Sequence, residues 1–270
     1  MPASTTWDVV RLRLRSAMPP LYPLGPPASP VSPASPVSLA SPASAADPAS
    51  CVVCRGPVRP GFGRCYQCDL HRRYGRDLLA DAVVPICYAV KGTDYAAALW
   101  RYKSWPAPPS SSAQAALLVL LLAFLKDHGA CAWRRAGMPA PDLLAVVPTG
   151  FGRPGPHPLL RLVLPYLRLP LVPLAIRPGE QGRDLRADRF LVGGTAIGAS
   201  VLLLDDSWVS GASAQSAAAA LKLAGARRVA AVLLGRHINP ADPGAGPFAA
   251  RLTVRPYDPS SCAVHETLRP

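Results

Sequence analysis

Two adjacent aspartates, Asp205 and Asp206, directly follow four apolar residues, Val201 to Leu204. Neighbouring carboxylates repel each other, so the pair is unfavourable unless a cation or hydroxyl donors meet it. Mg²⁺ and the two vicinal hydroxyls of a sugar would both serve. The alternative is an acidic strand end that faces solvent or caps the next helix.

A short polar turn, Val209-Ser210-Gly211-Ala212-Ser213, follows the aspartates and precedes a helix predicted over Ala214 to Leu223. In an open parallel sheet, ligands bind beyond the carboxyl ends of the strands, and a helix N-terminus offers unpaired N–H groups to an anion. Gly211 would let the loop turn tightly around a phosphate, while the Ser210 and Ser213 hydroxyls donate to its oxygens. Ser213 could instead cap the helix. Together with the aspartates, the turn predicts a site for a ribose 5-phosphate group.

A second strand also ends in a glycine-rich turn, which contains Thr149, Gly150 and Arg153. These residues suit a polyphosphate at a strand terminus, although an ordinary strand-to-helix turn is the alternative. Further along, the stretch Arg177 to Arg189 combines glycines with four arginines. It predicts a mobile loop that can close over an anionic substrate, or else a solvated charged loop.

Four cysteines stand in two close pairs, Cys51-x2-Cys54 and Cys65-x2-Cys68. This spacing is typical of a tetrahedral zinc knuckle, and so short a segment needs metal or disulfides to fold. Two disulfides are the alternative. The chain shows no secretory signal pattern, so we expect a cytoplasmic protein with reduced thiols and a structural Zn²⁺. His71 is a spare candidate ligand.

The remaining cysteines and histidines show no such pattern. Cys87, Cys131 and Cys262 lack ligand spacing and are expected to be ordinary buried or surface thiols. Isolated histidines at predicted loop positions are expected at the surface, namely His157, His237 and His265.

Alternating apolar runs and helix-like stretches predict a parallel α/β sheet. The predicted strands are Val83 to Val90, Leu143 to Val147, Leu171 to Ile176, Val201 to Leu204 and Val229 to Leu234. The predicted helices are Tyr95 to Tyr102, Ala115 to Leu125, Pro158 to Leu167 and Ala214 to Leu223. Ala115 to Leu125 is the longest apolar run and is closed by Lys126 and Asp127, so we expect a buried helix and no membrane span.

The segment Asp205 to Ser213 resembles the phosphoribosyl pyrophosphate signature of type I phosphoribosyltransferases, Asp-Asp-Val-x-Thr-Thr-Gly-x-Thr, with its spacing kept. An amino-terminal four-cysteine knuckle before such a domain is similar to the ComF family. Arg101-Tyr102-Lys103 also resembles that family's segment before its first long helix. The resemblance implies a doubly wound, mainly parallel sheet of the type I phosphoribosyltransferase kind, preceded by a small zinc ribbon and a disordered arm.

The resemblance also implies roles for the site residues. Asp205 and Asp206 would hold the ribose hydroxyls, Val209 to Ser213 would cradle the 5-phosphate, and the loop at Thr149, Gly150 and Arg153 would contact pyrophosphate. Two residues depart from the signature: Val209 stands where the family has threonine, and Trp208 is bulkier than usual. The family's Arg-Gly-Phe-Asn stretch is replaced by Arg153-Pro154-Gly155-Pro156-His157.

Two functions follow as expectations. The first is a phosphoribosyltransferase of nucleoside metabolism that uses phosphoribosyl pyrophosphate and Mg²⁺ and transfers the phosphoribosyl group to or from a nitrogenous acceptor. The second is a non-catalytic ribose-phosphate-binding accessory protein in DNA uptake or nucleotide sensing. Single-stranded DNA or DNA-handling proteins would then be partners.

Composition sets the domain limits and the charge. Residues 1–50 are rich in Pro, Ala and Ser with almost no apolar period from about Met18, which predicts a disordered arm. Residues 51–75 form the knuckle and 76–270 the phosphoribosyltransferase-like domain. An excess of 29 Lys and Arg over 16 Asp and Glu gives a net charge of +13, which favours phosphorylated or nucleic-acid partners over cationic ones or else serves solubility.

Overall fold

A computed structural model of the chain describes residues 50–149, 155–179, 184–252 and 262–264. The predicted arm therefore lies almost entirely outside the described residues. The strands are β1 (Ala82–Val90), β2 (Leu143–Val146), β3 (Leu174–Ile176), β4 (Phe190–Val192), β5 (Ser200–Trp208) and β6 (Arg228–Ile238). The α-helices are α1 (Tyr66–Tyr74), α2 (Asp94–Arg101), α3 (Ser111–Arg135), α4 (Pro158–Val163), α5 (Ala212–Leu223) and α6 (Ala245–Leu252).

The main sheet has the order β1-β6-β5-β2, and its three strand pairs are all parallel. Its central strands are apolar without polar alternation because helices cover both faces. Along β5, Leu202 and Leu204 pack with α2, α3 and α4, whereas Val201 and Leu203 pack with α5 on the opposite face. The doubly wound, mainly parallel fold is thus confirmed.

The adjacent strands β2 and β5 are followed by helices on opposite faces, α4 after β2 and α5 after β5. Such a change of direction opens a crevice beyond the carboxyl ends of the two strands, which is where open α/β sheets bind ligands. Thr149, just beyond β2, and the turn after Trp208 both lie at this edge of the sheet.

Several element limits differ from the sequence prediction. Helix α3 runs for 25 residues from Ser111 to Arg135, because Lys126 and Asp127, expected to close it, lie on its more exposed side. The strand predicted over Leu171 to Ile176 shrinks to β3, which pairs antiparallel with the unpredicted β4 outside the main sheet. Leu171 itself makes only an isolated parallel bridge to Leu144.

Helix α3 is long and apolar enough to cross a membrane by length and composition, and 50% of its most apolar window is buried inside the fold. It packs against β1 and β6, where Leu117, Leu120 and Leu121 are fully buried. The helix is therefore buried, as expected, on the face that packs against the sheet, while its other face is more exposed.

Candidate functional site

The paired aspartates lie inside β5 and not beyond it, because this strand continues to Trp208 alongside β6. Asp205 is 9% exposed and Asp206 is 3% exposed. Buried carboxylates need compensating partners. The surroundings of each side chain therefore decide what this strand end can do.

Asp206 has three such partners, which converge on its Oδ2 atom. The Tyr102 hydroxyl donates to it at 2.5 Å and the Lys103 Nζ donates at 2.6 Å. His157 Nε2 lies 3.3 Å from the same oxygen. Tyr102 and Lys103 follow α2, and His157 precedes α4, so two separate segments fix one carboxylate.

His157 faces Asp206 through its Nε2 atom. Its Nδ1 accepts a hydrogen bond from the backbone N–H of Leu159 at 3.0 Å, so Nε2 carries a proton that it can donate to Asp206. The expectation that His157 lies at the surface is wrong, since it is 6% exposed. The fold places this proline-flanked residue above the carboxyl end of β5, where Asp206 and α4 cover it.

The pKa values of the two carboxyl groups are shifted in opposite directions. Burial, followed by the charge of Asp206, raises the pKa of Asp205 to about 8. Burial also acts to raise the pKa of Asp206, but the charge of Lys103 and hydrogen bonds from His157 and Lys103 outweigh it, so this pKa lies far below its ordinary value. At neutral pH the site therefore holds one ionised and one largely protonated carboxyl group.

The turn after β5 is short and strongly constrained. Val209 is 62% exposed, and Gly211 takes the left-handed conformation, with φ of 87°, as the N-cap of α5. A Cβ atom on Gly211 would overlap the Trp208 ring. Glycine is thus required twice, for the backbone angle and for the space.

The hydroxyls of the turn differ in position. Ser210 Oγ accepts a hydrogen bond of 3.3 Å from the N–H of Ala212, the first residue of α5. Ser213 is the second residue of α5, so it does not occupy the N-cap position. The N-terminus of α5, whose first N–H groups have no acceptor within the helix, lies just after the end of β5, which is the arrangement that binds a phosphate.

The four cysteines of the knuckle form one cluster. Their sulfurs lie within 4.8 Å of one another, and Cys54 Sγ is 3.7 Å from Cys65 Sγ. Two sulfurs on a tetrahedral zinc ion, each at ~2.3 Å, are about 3.8 Å apart. Cys51, Cys54, Cys65 and Cys68 therefore fit a tetrahedral metal. His71 is not part of this cluster and packs edge-on against Trp208, with ring centroids 6.5 Å apart.

Arg236 of β6 connects the knuckle to the turn. It donates to the carbonyls of Trp208 and Val209 at 3.0 and 3.1 Å. Burial acts to lower its pKa, but the charge of Cys54 and a hydrogen bond to it raise the pKa above its ordinary value. One guanidinium thus balances the thiolate cluster and holds the last residues before Ser210.

The other residues expected in the site are less fully described. Thr149 is half-buried just beyond β2, at the same sheet edge as Asp205. Gly150 and Arg153 lie outside the described residues, as does the middle of the loop Arg177 to Arg189, residues 180–183. The closing motion expected of that loop stays a prediction.

A cavity of about 380 Å³ adjoins the acidic strand end. Lys91, Lys103, Ser207 and His237 are among its lining residues. His237 lies within β6 and is partly buried, so the expectation of a surface loop is wrong for it as well. His265 lies outside the described residues.

Tyr102, Lys103 and His157 are the site residues that the sequence prediction left out. For Lys103 and Tyr102 the available signal was the resemblance of Arg101-Tyr102-Lys103 to a known segment. His157 gave no signal, because an isolated histidine between prolines has no ligand spacing.

No protein-family model and no curated protein sequence match this chain. The solved structures that it resembles include a purine phosphoribosyltransferase from Pyrococcus horikoshii Ot3, with 16% identity, a TM-score of 0.26, and coverage of 45% of this chain and 90% of that chain. Another is the orotate phosphoribosyltransferase of Mycobacterium tuberculosis H37Rv in complex with inorganic phosphate. It has 18% identity and a TM-score of 0.30, and the match covers 53% of this chain and 66% of that chain. A phosphoribosyltransferase from Corynebacterium diphtheriae shows 22% identity and a TM-score of 0.29, and the match covers 53% of this chain and 75% of that chain. These values are too low to carry any residue's role over to this chain.

Proposed function

We propose that the protein is a ComF-type phosphoribosyltransferase that binds phosphoribosyl pyrophosphate with Mg²⁺ at the carboxyl end of β5. One observation carries the proposal: two buried carboxylates, of which Asp206 is held by Tyr102, Lys103 and His157, lie at the end of a strand that leads through a glycine turn into a helix N-terminus. The carboxylates can accept hydrogen bonds from ribose hydroxyls, and the glycine turn with the helix N-terminus can bind a phosphate.

Each residue has a role in this proposal. Asp205 and Asp206 accept hydrogen bonds from the ribose hydroxyls, while Val209 to Ser213 hold the 5-phosphate through backbone N–H groups and the Ser210 and Ser213 hydroxyls. Thr149, Gly150 and Arg153 contact the pyrophosphate. Val209 lacks a hydroxyl, so the turn relies on N–H groups more than a turn with threonine at that position would.

Mg²⁺ prefers oxygen ligands, which the carboxylates of Asp205 and Asp206 and the phosphates of the substrate supply. When bound, the ion neutralises the charge of the departing pyrophosphate. His157 fits a positioning role better than a ligand role, because its Nε2–H already faces Asp206 and its Nδ1 lone pair is occupied.

The reaction breaks the bond between the anomeric carbon and the pyrophosphate oxygen and forms a bond to an acceptor nitrogen, which loses its proton. Positive charge develops on the ribose ring as the leaving group departs. An ionised Asp206, fixed by Lys103, Tyr102 and His157, stabilises this charge without reorganising. The chemistry needs mainly positioning and charge stabilisation, so no nucleophilic side chain is required.

The knuckle supports the same site through Arg236. With Zn²⁺ bound to Cys51, Cys54, Cys65 and Cys68, Arg236 balances the negative charge of the thiolates and still holds the carbonyls of Trp208 and Val209. The zinc is thus structural, and a cytoplasmic location would keep its thiol ligands reduced.

Pyrophosphate release tests the reaction. The protein is incubated with phosphoribosyl pyrophosphate, Mg²⁺ and a panel of nucleobase acceptors, and pyrophosphate is quantified with and without acceptor. We expect acceptor-dependent release that falls at least a hundredfold in Asp206→Asn. Asp142→Asn is the matched control, because Asp142 accepts from the Ser200 N–H at the opposite end of β5.

An arginine-rich cavity favours a second candidate, the ribose-phosphate-binding accessory protein of DNA uptake. This cavity of about 320 Å³ lies between the knuckle and the sheet, and Arg55, Arg64, Arg72, Arg76 and Arg135 are among the residues that line it. Single-stranded DNA binding that weakens steeply with salt, together with no pyrophosphate release, would favour this function. Salt-insensitive or absent DNA binding would count against it.

A further inference from the structure

A second group of metal-ligand side chains lies outside the knuckle, on the α3 face of the sheet. It consists of His128, Cys131 and Cys262, whose ligand atoms all lie within 4.8 Å of one another. His128 is 3% exposed and the two cysteines are each 6% exposed. Cys131 and Cys262, which show no ligand spacing in the sequence, are thus brought together with His128 by the fold.

Helix geometry accounts for two of the three ligands. His128 and Cys131 are three residues apart on α3, so their side chains project from the same face. Cys262 comes from the short described segment Cys262–Val264, which is buried against the domain. The group thus joins residues 131 positions apart in the chain, which no spacing motif would reveal.

The donor set is selective. One imidazole nitrogen and two sulfurs are the ligands that Zn²⁺ prefers, and they are too soft for Mg²⁺. The same separation limit of 4.8 Å describes the four sulfurs of the knuckle.

We propose that His128, Cys131 and Cys262 bind a second Zn²⁺, which ties the carboxy-terminal segment to α3. The same segment is also held from the knuckle side, where the Arg55 guanidinium donates to the Ala263 carbonyl. Arg55 is itself fixed by the Tyr88 hydroxyl, which donates to the Arg55 carbonyl at 2.8 Å. Arg55, which follows the knuckle ligand Cys54, and the proposed metal would thus both hold this segment.

Metal content tests this inference directly. The full chain, purified without chelators and without added metal, should contain about two zinc ions per molecule by mass spectrometry, whereas the knuckle alone accounts for one. Cys131→Ala and Cys262→Ala should each lower this to about one. Cys87→Ala is the matched control, because Cys87 is buried in the same core and lies outside the group, and it should keep both ions.

X-ray absorption at the zinc edge needs no variant and covers the case in which one fails to fold. Two occupied sites predict an average of about three sulfurs and one nitrogen or oxygen around each zinc, whereas a lone knuckle predicts four sulfurs. One zinc per chain with four sulfurs would overturn the proposal. So would alkylation and mass spectrometry that show Cys131 and Cys262 joined as a disulfide.

Discussion

Raising the pH from 7 to 9 should strengthen Mg²⁺-dependent binding of phosphoribosyl pyrophosphate by about tenfold. Burial and the charge of Asp206 raise the pKa of Asp205 to about 8, so about nine-tenths of the molecules carry a proton on this carboxyl group at pH 7. A cation binds the ionised form. The proton must therefore leave, and its removal costs about a factor of ten in affinity at pH 7 and almost nothing at pH 9.

Calorimetric titration in two buffers of different ionisation enthalpy measures the dissociation constant and the number of protons released on binding. We expect about one proton released per ligand at pH 7 and a dissociation constant that falls about tenfold by pH 9. The secondary phosphate of the ligand has a pKa of about 6 and is already about nine-tenths ionised at pH 7, so it cannot produce a tenfold trend. Equal affinity at both pH values, without proton release, would refute the assigned state of Asp205.

The same residue gives a stability prediction of definite sign. A carboxyl group with a raised pKa in the folded state stabilises the fold below its ordinary pKa, and this contribution is lost as the pH rises through about 8. Asp205→Asn should therefore flatten the fall of unfolding free energy between about pH 4 and 8, as measured by urea denaturation. An unchanged slope would contradict it.

Three further substitutions, with Gly198→Ala as a control, test the residues that hold Asp206 and the turn after β5. Gly211→Ala should abolish binding and lower the free energy of unfolding by more than the ~1–2 kcal/mol of backbone strain, because its Cβ overlaps Trp208. Gly198→Ala, with a φ of +70° and no atom within 4 Å, should cost the strain alone. Lys103→Met should raise the pKa of Asp206, seen by carboxyl NMR, and weaken binding at acidic pH, whereas an unshifted resonance would contradict the ion pair. Arg236→Gln should destabilise the fold by about 2 kcal/mol and weaken phosphate binding even with zinc bound, whereas full binding would show that Arg236 does not support the turn.

The central motif could be predicted from the sequence because all its parts are contiguous. The apolar strand, the two aspartates, the glycine turn and the helix follow one another within about twenty residues, so local pattern fixes their relative positions. The four cysteines were recognisable for the same reason. The parallel sheet followed from apolar runs without polar alternation, which only strands covered on both faces show.

The remainder depends on the topology. His157 meets Asp206 only because α4 begins above the end of β5, and Lys103 meets it only because α2 ends beside that strand. Strand β4 is short and half-exposed, and among the described residues it pairs with β3 alone, so its sequence carried no clear period. Likewise, His128 and Cys262 come together through the packing of a distant segment on α3.

Calorimetric titration of phosphoribosyl pyrophosphate with Mg²⁺ into the full chain tests the central claim most directly. We expect saturable binding that requires Mg²⁺, is lost in the double variant Asp205→Asn, Asp206→Asn and is retained in Asp142→Asn. Absence of binding by the unaltered protein, or equal binding by the double variant, would contradict the assignment of this strand end as the ribose-phosphate site.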